Sequence, residues 1–314
     1  MTLAAPKERL ENYRRASPRS SLAVDSLLVA MASIWAVNYS VLKLATALIP
    51  PLALNAVRIP LAAVVQFLLG RAMQLRSASK TERLALLRLG MLGNGLYQIL
   101  FILGVARARV ATTVLVLASG PALAALIGRW RGTERVGARE WAGIGLQLAG
   151  VALVVGGSAR NGGGNDSLLG GLLVLGAATC WALYSVLVQP YTERLPGLEV
   201  GAYTMLGGAI VVLLVGAPLA VSVPWMELPA SAYGAIAYSA LGAMVVAYLI
   251  WYKGVSVLGP THTSMYSNLQ PPLAMLVAWL WLREVPSPMQ FAGAGSIAAG
   301  LVLARWPASE PEAP

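Results

Sequence analysis

Carboxylates are missing from the parts of this chain where they would cost most. All thirteen acidic residues (Glu8, Glu11, Asp25, Glu82, Glu134, Glu140, Asp166, Glu193, Glu199, Glu227, Glu284, Glu310 and Glu312) fall in tails, loops or the ends of apolar runs. Charge of either sign is thin: 11% of the 314 residues are charged, against about 25% in soluble proteins. Hydrophobic residues make up 57% and the mean hydropathy is +0.68, so the chain reads as an integral membrane protein. The single cysteine, Cys180, excludes an intrachain disulfide and a cysteine metal site, and it is read as a packing residue. No metal and no cofactor are expected. There is one histidine, His262, and only three Phe stand against nine Trp and eleven Tyr, so rings with a polar tip are preferred. Such rings suit both interfacial belts and cavities for amphipathic solutes.

What is abundant is long apolar sequence. Ten runs of helix length occur, roughly 25–42, 51–69, 86–105, 109–127, 140–157, 168–188, 198–217, 231–250, 261–281 and 288–304. Each is long enough to cross a bilayer as a helix and about twice what a barrel strand needs. The expected fold class is an all-α polytopic membrane protein with ten transmembrane helices. No cleavable signal peptide is evident, because the first twenty residues are polar and basic and the first apolar run is too long for a signal core. Residues 1–24 are read as a disordered basic tail and residues 306–314 as a second tail.

The net charge of +10 follows topology, and no nucleic-acid partner is expected. With the amino terminus in the cytoplasm, seventeen basic residues fall on that side and five (Lys43, Arg107, Arg109, Arg160, Arg283) on the other. Both termini are then cytoplasmic by the positive-inside rule. Arg58 alone lies within a span.

A glycine-rich linker, 158–167, separates two copies of one unit, 25–157 and 168–305. An offset of 150 pairs Gly104 with Gly254, Thr113 with Thr263, Pro121 with Pro271, Glu134 with Glu284, Gly143 with Gly293 and Gly150 with Gly300. Upstream the offset drifts to 146, where Trp35-Ala36-Val37-Asn38 meets Trp181-Ala182-Leu183-Tyr184. Five spans per copy is an odd number, so the second copy enters the membrane from the opposite face. Inverted repeats of this kind place a substrate site near the midplane, and rocking about it gives alternating access.

Helical spacing gathers the polar and aromatic residues of several spans onto single faces. Trp35, Asn38 and Tyr39 share a face of span one, and Trp181 and Tyr184 share one in span six. Tyr97 and Gln98 lie in span three, with Tyr248 and Trp251 in span eight. In span nine, the stretch Thr261–Pro272 carries His262, Tyr266, Asn268 and Gln270. Polar groups at that depth need protein or water beside them, so these thirteen residues are candidates for lining a central cavity. Bonding between neighbouring helices is the competing use. Pro121 and Pro271 fall mid-span in equivalent helices, where a kink serves either as a gating hinge or as a fixed bend. The glycines of spans five and ten permit close backbone approach, and a monomer with these two helices as scaffold is preferred over a dimer. Arg58 suits either a substrate carboxylate or a structural cap. His262 serves either as a proton switch or in packing.

The combination of two five-helix halves, the Trp-Ala-x-Asn and Trp-Ala-x-Tyr pair, Arg58, and Pro121 with Glu134 answered by Pro271 with Glu284 resembles the drug/metabolite transporter superfamily, in particular its ten-helix EamA-type exporters. The resemblance spans about Asp25 to Arg305. It implies helices one to four and six to nine around a central cavity, helices five and ten outside, a bacterial inner-membrane location, and export of amino acids or related small metabolites. A multidrug exporter of the same fold is the alternative. The lack of a mid-membrane acid disfavours proton antiport of organic cations. A hydrolase built on His262 with Ser264 or Ser267 lacks an orienting acid and a nucleophile elbow, so the chain is not read as an enzyme.

Overall fold

The computed structural model describes residues 18–75, 77–132, 137–160, 166–258, 263 and 265–305. The described residues are helices and short connections, with no strand among them. In chain order they form α1 (Pro18–Leu48), α2 (Pro51–Ala72), α3 (Lys80–Arg107), α4 (Val110–Trp130), α5 (Ala138–Arg160), α6 (Leu168–Thr192), α7 (Gly197–Val221), α8 (Ala230–Leu258), α9 (Gln270–Leu282) and α10 (Pro288–Arg305). Among the described residues, eight helices, α1 to α8, are long and apolar enough to cross a membrane, and α10 is a shorter apolar helix. Several helices outrun the apolar runs of the sequence. α3, for example, begins at Lys80 with a Ser79–Glu82 capping box, because charged helix formers continue the helix past the hydrocarbon edge.

Three of the helices are internally irregular. α4 consists of Val110–Leu117 and Gly120–Trp130, and the break follows from Pro121, whose ring has no N–H and excludes the Leu117 carbonyl four residues back. Pro121 thus stands in the first turn of a new helix, where a missing donor costs nothing. Pro271 occupies the same place in α9, after a short 3₁₀ turn over Ser267–Leu269. The bends expected at these prolines are therefore helix starts. α3 and α8 each widen into a π turn, Met91–Leu96 and Tyr238–Val246.

The helices of the first half pack mainly on those of the second: α2 on α7, α5 on α10, α3 and α4 on α6, α8 and α9 on α1. α5 and α10 meet through glycines. A Cβ on Gly143 would fall 2.6 Å from the Gly300 carbonyl oxygen, and one on Gly300 2.5 Å from that of Gly143. Gly150 and Gly293 are related in the same reciprocal way, at 2.7 and 2.8 Å. Contacts 143–300 and 150–293 advance in opposite directions, so the two helices cross antiparallel about a local two-fold axis. These glycine faces are filled within the chain. The outward side of the pair is an open apolar groove of Leu146, Ala298, Ala299, Val302 and Leu303, as a surface against lipid tails would be.

The core runs between the halves. Ile59, Ala62 and Ala63 of α2 pack on Met205, Ala209 and Val212 of α7 and on Met244 and Val245 of α8. Val110, Val114, Leu115 and Val116 of α4 are buried against α1, α5, α6, α9 and α10.

Adding a methyl at the α5–α10 crossing forces backbones apart, which overpacking data put at about 1–3 kcal/mol. Gly300→Ala should lower the thermal midpoint of the detergent-purified protein. Gly145→Ala, with nothing within 4 Å of its added carbon, should leave the midpoint unchanged.

Candidate functional site

Two chains of aromatic rings occupy the interior where α1, α3, α6 and α8 converge. In one, Tyr39 of α1 meets Phe101 of α3 edge-on at 6.0 Å, Phe101 stacks on Tyr97 at 5.6 Å, Tyr97 meets Trp181 of α6 at 5.2 Å, and Trp181 meets Tyr184 at 5.2 Å. In the other, Trp35 of α1 lies 5.6 Å from Tyr248 and 6.1 Å from Trp251, and Tyr248 lies 6.1 Å from Tyr252, all three on α8. Trp35 and Trp181 are repeat equivalents, so each chain joins one repeat tryptophan to the third helix of the opposite half. The Tyr248 phenol lies within electrostatic range of those of Tyr39, Tyr97, Tyr184 and Tyr252. Trp35, Tyr39, Tyr97, Trp181, Tyr248 and Trp251 are only half-buried.

Polar side chains hold this arrangement by bonding backbone carbonyls in or beside the irregular turns. Trp35 Nε1 donates to the Ala243 carbonyl at 2.9 Å and Gln66 Nε2 to that of Met244, both within the π turn of α8. Asn55 Nδ2 donates to the Gln98 carbonyl, just past the π turn of α3, at 2.7 Å. A π turn breaks the regular ladder of backbone hydrogen bonds, and in an apolar interior a freed carbonyl needs a donor.

Gln98 does not share the ring face of Tyr97. Its Oε1 accepts from Arg58 Nη2 at 2.7 Å, while Arg58 Nε donates to Asn55 Oδ1 at 2.7 Å. Tyr39 Oη donates to Gln270 Oε1 at 3.3 Å, tying α1 to the start of α9. Tyr184 Oη donates to Thr204 Oγ1 at 3.3 Å. Asn38 is half-buried, and its Oδ1 has no hydrogen-bond partner. Tyr266 Oη donates to Asp25 Oδ1 at 2.8 Å, which takes it to the rim by the start of α1, and Asn268 is exposed. His262 and Glu134 lie outside the described residues. Thus the rings of α1, α3, α6 and α8 come together, Gln270 joins them through Tyr39, Tyr266 packs from the rim on the same Val24, Leu28, Met31 and Ala247 cluster as Trp35 and Trp251, and Asn268 stands apart.

The two ends of the bundle differ. At one end, the backbone N–H of Arg109 donates to Asp166 Oδ1 at 3.0 Å and that of Val110 to Glu284 Oε2 at 2.8 Å, so two carboxylates cap the start of α4. Asp166 also accepts from Thr112 Oγ1 at 3.2 Å and Gln290 Nε2 at 3.4 Å. Lys43 Nζ donates to the carbonyls of Val105 (3.0 Å), Ala106 (3.4 Å) and Ala108 (2.7 Å), closing the C-terminus of α3. Here Val110–Leu117 packs against Gln270–Leu282. At the other end, Glu199 accepts from the backbone N–H groups of Ser77 and Ala78 at 3.0 Å each, and Arg194 pairs with Glu82 at 3.2 Å on the surface. In Gly120–Trp130, the half of α4 at this end, only Ala122 and Gly128 are buried. Lys43, Asp166 and Glu284 are spread over 241 positions of sequence, which is why spacing did not reveal this cluster.

Among the described residues, no group of three or more His, Cys, Asp or Glu side chains is placed to hold a metal ion. Nothing in the ring cluster supplies a nucleophile with an adjacent base. What the geometry offers is π faces, phenol hydroxyls, amides and one guanidinium, groups suited to small amphipathic molecules.

A model of the EamA-like transporter family matches residues 22–156 and again residues 168–306. The chain is 29% identical over 218 residues to a probable terminal-alkyne amino-acid exporter of Streptantibioticus cattleyicolor, covering 68% of this chain and 70% of the relative. It is 28% identical over 294 residues to the uncharacterized inner membrane transporter YedA of Escherichia coli strain K12, covering 91% of each. A solved crystal structure superposes with a TM-score of 0.58 at 23% identity, covering 90% of this chain and 97% of the other, which is a likeness of fold.

Burial holds the Glu284 carboxyl above the usual carboxylate range; the nearby Asp166 pushes the same way, while the Val110 N–H, Lys43 and Arg109 pull it back. A raised acid favours the folded state when protonated, so this contribution is complete at low pH and is lost as pH rises through the raised value. Glu284→Gln keeps the acceptor for Val110 and removes the titration. The wild-type thermal midpoint should fall relative to that of the variant as pH rises above the ordinary carboxylate range, and the two should converge in acid.

Proposed function

The chain belongs to the EamA-like transporter family, and on that premise we propose that it exports amino acids or related small metabolites across the inner membrane by alternating access. The observation that carries this reading is the convergence of half-buried rings from both halves of the chain: Trp35 and Tyr39 of α1, Tyr97 of α3, Trp181 of α6, and Tyr248 and Trp251 of α8. Rings with polar tips pack on the apolar part of a small solute while phenols and amides bond its charged groups. The name of the Streptantibioticus cattleyicolor relative supports amino acids as the substrate class, and that of YedA supports the inner membrane.

Ten spans in two inverted halves around a central cavity are part of the same proposal. The antiparallel crossing of the repeat-equivalent helices α5 and α10 supports inversion, since a two-fold axis perpendicular to both helices lies in the membrane plane. The distribution of basic residues supports both termini in the cytoplasm, which puts the Glu284 end outside. The described conformation then has its outer end closed by α4 on α9, with access from the cytoplasm, and Pro121 and Pro271 mark the half-helix joints at which the ends exchange. The acids described at the helix ends, Asp25, Asp166, Glu199 and Glu284, hold backbone N–H or Tyr266 O–H groups, which supports transport without a mid-membrane proton carrier. A monomer suffices, with α5 and α10 as scaffold.

Labelled amino acids should enter preloaded proteoliposomes of the purified protein by counterflow. Trp35→Ala and Trp181→Ala should each slow exchange by about tenfold or more, the worth of one aromatic anchor. No exchange of any amino acid above protein-free liposomes contradicts the proposal.

A further inference from the structure

Among the described residues, Arg58 is the one guanidinium enclosed in the helix bundle, 1% exposed and flanked by neutral groups. It has five N–H donors and stays protonated in proteins. Two of the donors go to the amide oxygens of Asn55 and Gln98, and Nη1 has only the Met244 thioether, 3.5 Å away. Sulfur is a weak acceptor, and no carboxylate among the described residues lies in ion-pair range of Arg58. A buried cation with neutral partners is costly, so a position that keeps one is a candidate for function.

Three features tie this cation to the ring cluster. Gln98 follows Tyr97 in the chain. Met244 follows Ala243, whose carbonyl Trp35 holds. The guanidinium also lies within electrostatic range of the Tyr97 and Tyr248 phenols. The π turn that carries Met244 shapes the wall on this side, and a methionine is unbranched and easily repacked. The position 146 residues on, in the second half, is Thr204, whose hydroxyl is already bonded to Tyr184 and to the Gly201 carbonyl. The charge is therefore one-sided, and a solute between the halves meets a cation from the first half only.

We propose that Arg58 anchors a carboxylate of the transported solute at the Nη1 edge now covered by the Met244 sulfur, with the phenols of Tyr97 and Tyr248 beside it. This deepens, and rests on, the exporter reading. Displacing a thioether by a carboxylate exchanges a weak neutral contact for a charge-assisted one that guanidinium geometry can make bidentate. With no acid described near it, the site recognises anionic and zwitterionic solutes and rejects organic cations. An ammonium group, where present, rests on ring faces and phenol oxygens and is dispensable.

The test is thermal stabilisation of the detergent-purified full chain by three probes that share a phenyl ring: 3-phenylpropionate, L-phenylalanine and phenethylamine. The two carboxylates should raise the midpoint and phenethylamine should not. Arg58→Gln should weaken carboxylate binding by about a hundredfold or more, the scale of breaking a buried charge pair. Arg58→Lys should weaken it by about tenfold through loss of the fork, and Met244→Leu should bind as tightly as the wild type or more so. Stabilisation by phenethylamine equal to that by 3-phenylpropionate overturns the assignment, as does carboxylate stabilisation that survives in Arg58→Gln or is absent from the wild type. Should Arg58→Gln not fold, Arg58→Lys decides, because unchanged carboxylate binding in it is contradictory. Counterflow separates the two levels. Exchange of solutes without carboxylate preference sinks the Arg58 anchor and spares the exporter, whereas carboxylate binding without exchange of any solute does the reverse.

Discussion

A peptide group stripped of its regular partner inside an apolar bundle has to find another, and this requirement organises the structure. Several irregular turns and helix ends are met by a side chain that bonds the backbone there. Trp35 and Gln66 serve the π turn of α8, Asn55 serves the carbonyl of Gln98, Lys43 the end of α3, and Asp166 with Glu284 the start of α4. An unpaired group in hydrocarbon costs several kcal/mol, so these pairings decide where irregular backbone is permitted. Neighbouring residues of a helix point about 100° apart, so Tyr97 and Gln98, both in the regular helix after the π turn of α3, serve the aromatic chain and Arg58 respectively.

The same economy relates the two halves. Equivalent helices supply equivalent scaffolding: α5 and α10 through reciprocal glycines, α3 and α8 through π turns at matching positions. The groups at the centre are not duplicated. Arg58 answers to Thr204, Asn38 to Tyr184, and Asn94 to Met244. On the proposed alternating-access reading, a symmetric frame would allow the bundle two related conformations, open to one side or the other, and unequal side chains would give a bound molecule one orientation within it. Packing and recognition are thus carried by different residues of the same helices.

Much of this was legible in the sequence. Hydropathy located the apolar runs, and the offset of 150 related Gly143 and Gly150 to Gly293 and Gly300 as repeat equivalents, though it did not show the crossed contacts they make. Helical spacing placed Trp35, Tyr39, Tyr97, Trp181, Tyr184, Tyr248 and Trp251 on inward faces, because aromatic residues three and four apart share a face regardless of context. Register across the π turns was not legible, since a π turn leaves no composition signal. The Arg58 contacts with Gln98 and Met244, 40 and 186 positions away, were not legible either, nor was the cluster of Lys43, Asp166 and Glu284, whose members lie more than a hundred positions apart; only the packed bundle brings them together. Asn55 and Gln66, which bond the Gln98 and Met244 carbonyls, carry no spacing signal that singles them out in the sequence.

The central claim is that the rings border a water-accessible space between the two halves and not a dry core. Cysteines introduced singly by Tyr97→Cys and Tyr248→Cys, in a Cys180→Ala background, can be tested with a membrane-impermeant thiol reagent applied to both faces of the membrane. Leu214→Cys, on the apolar outer surface of α7, provides the lipid-facing comparison. Labelling at positions 97 and 248, with none at 214, is the result this account predicts. Positions 97 and 248 as unreactive as 214 would contradict it.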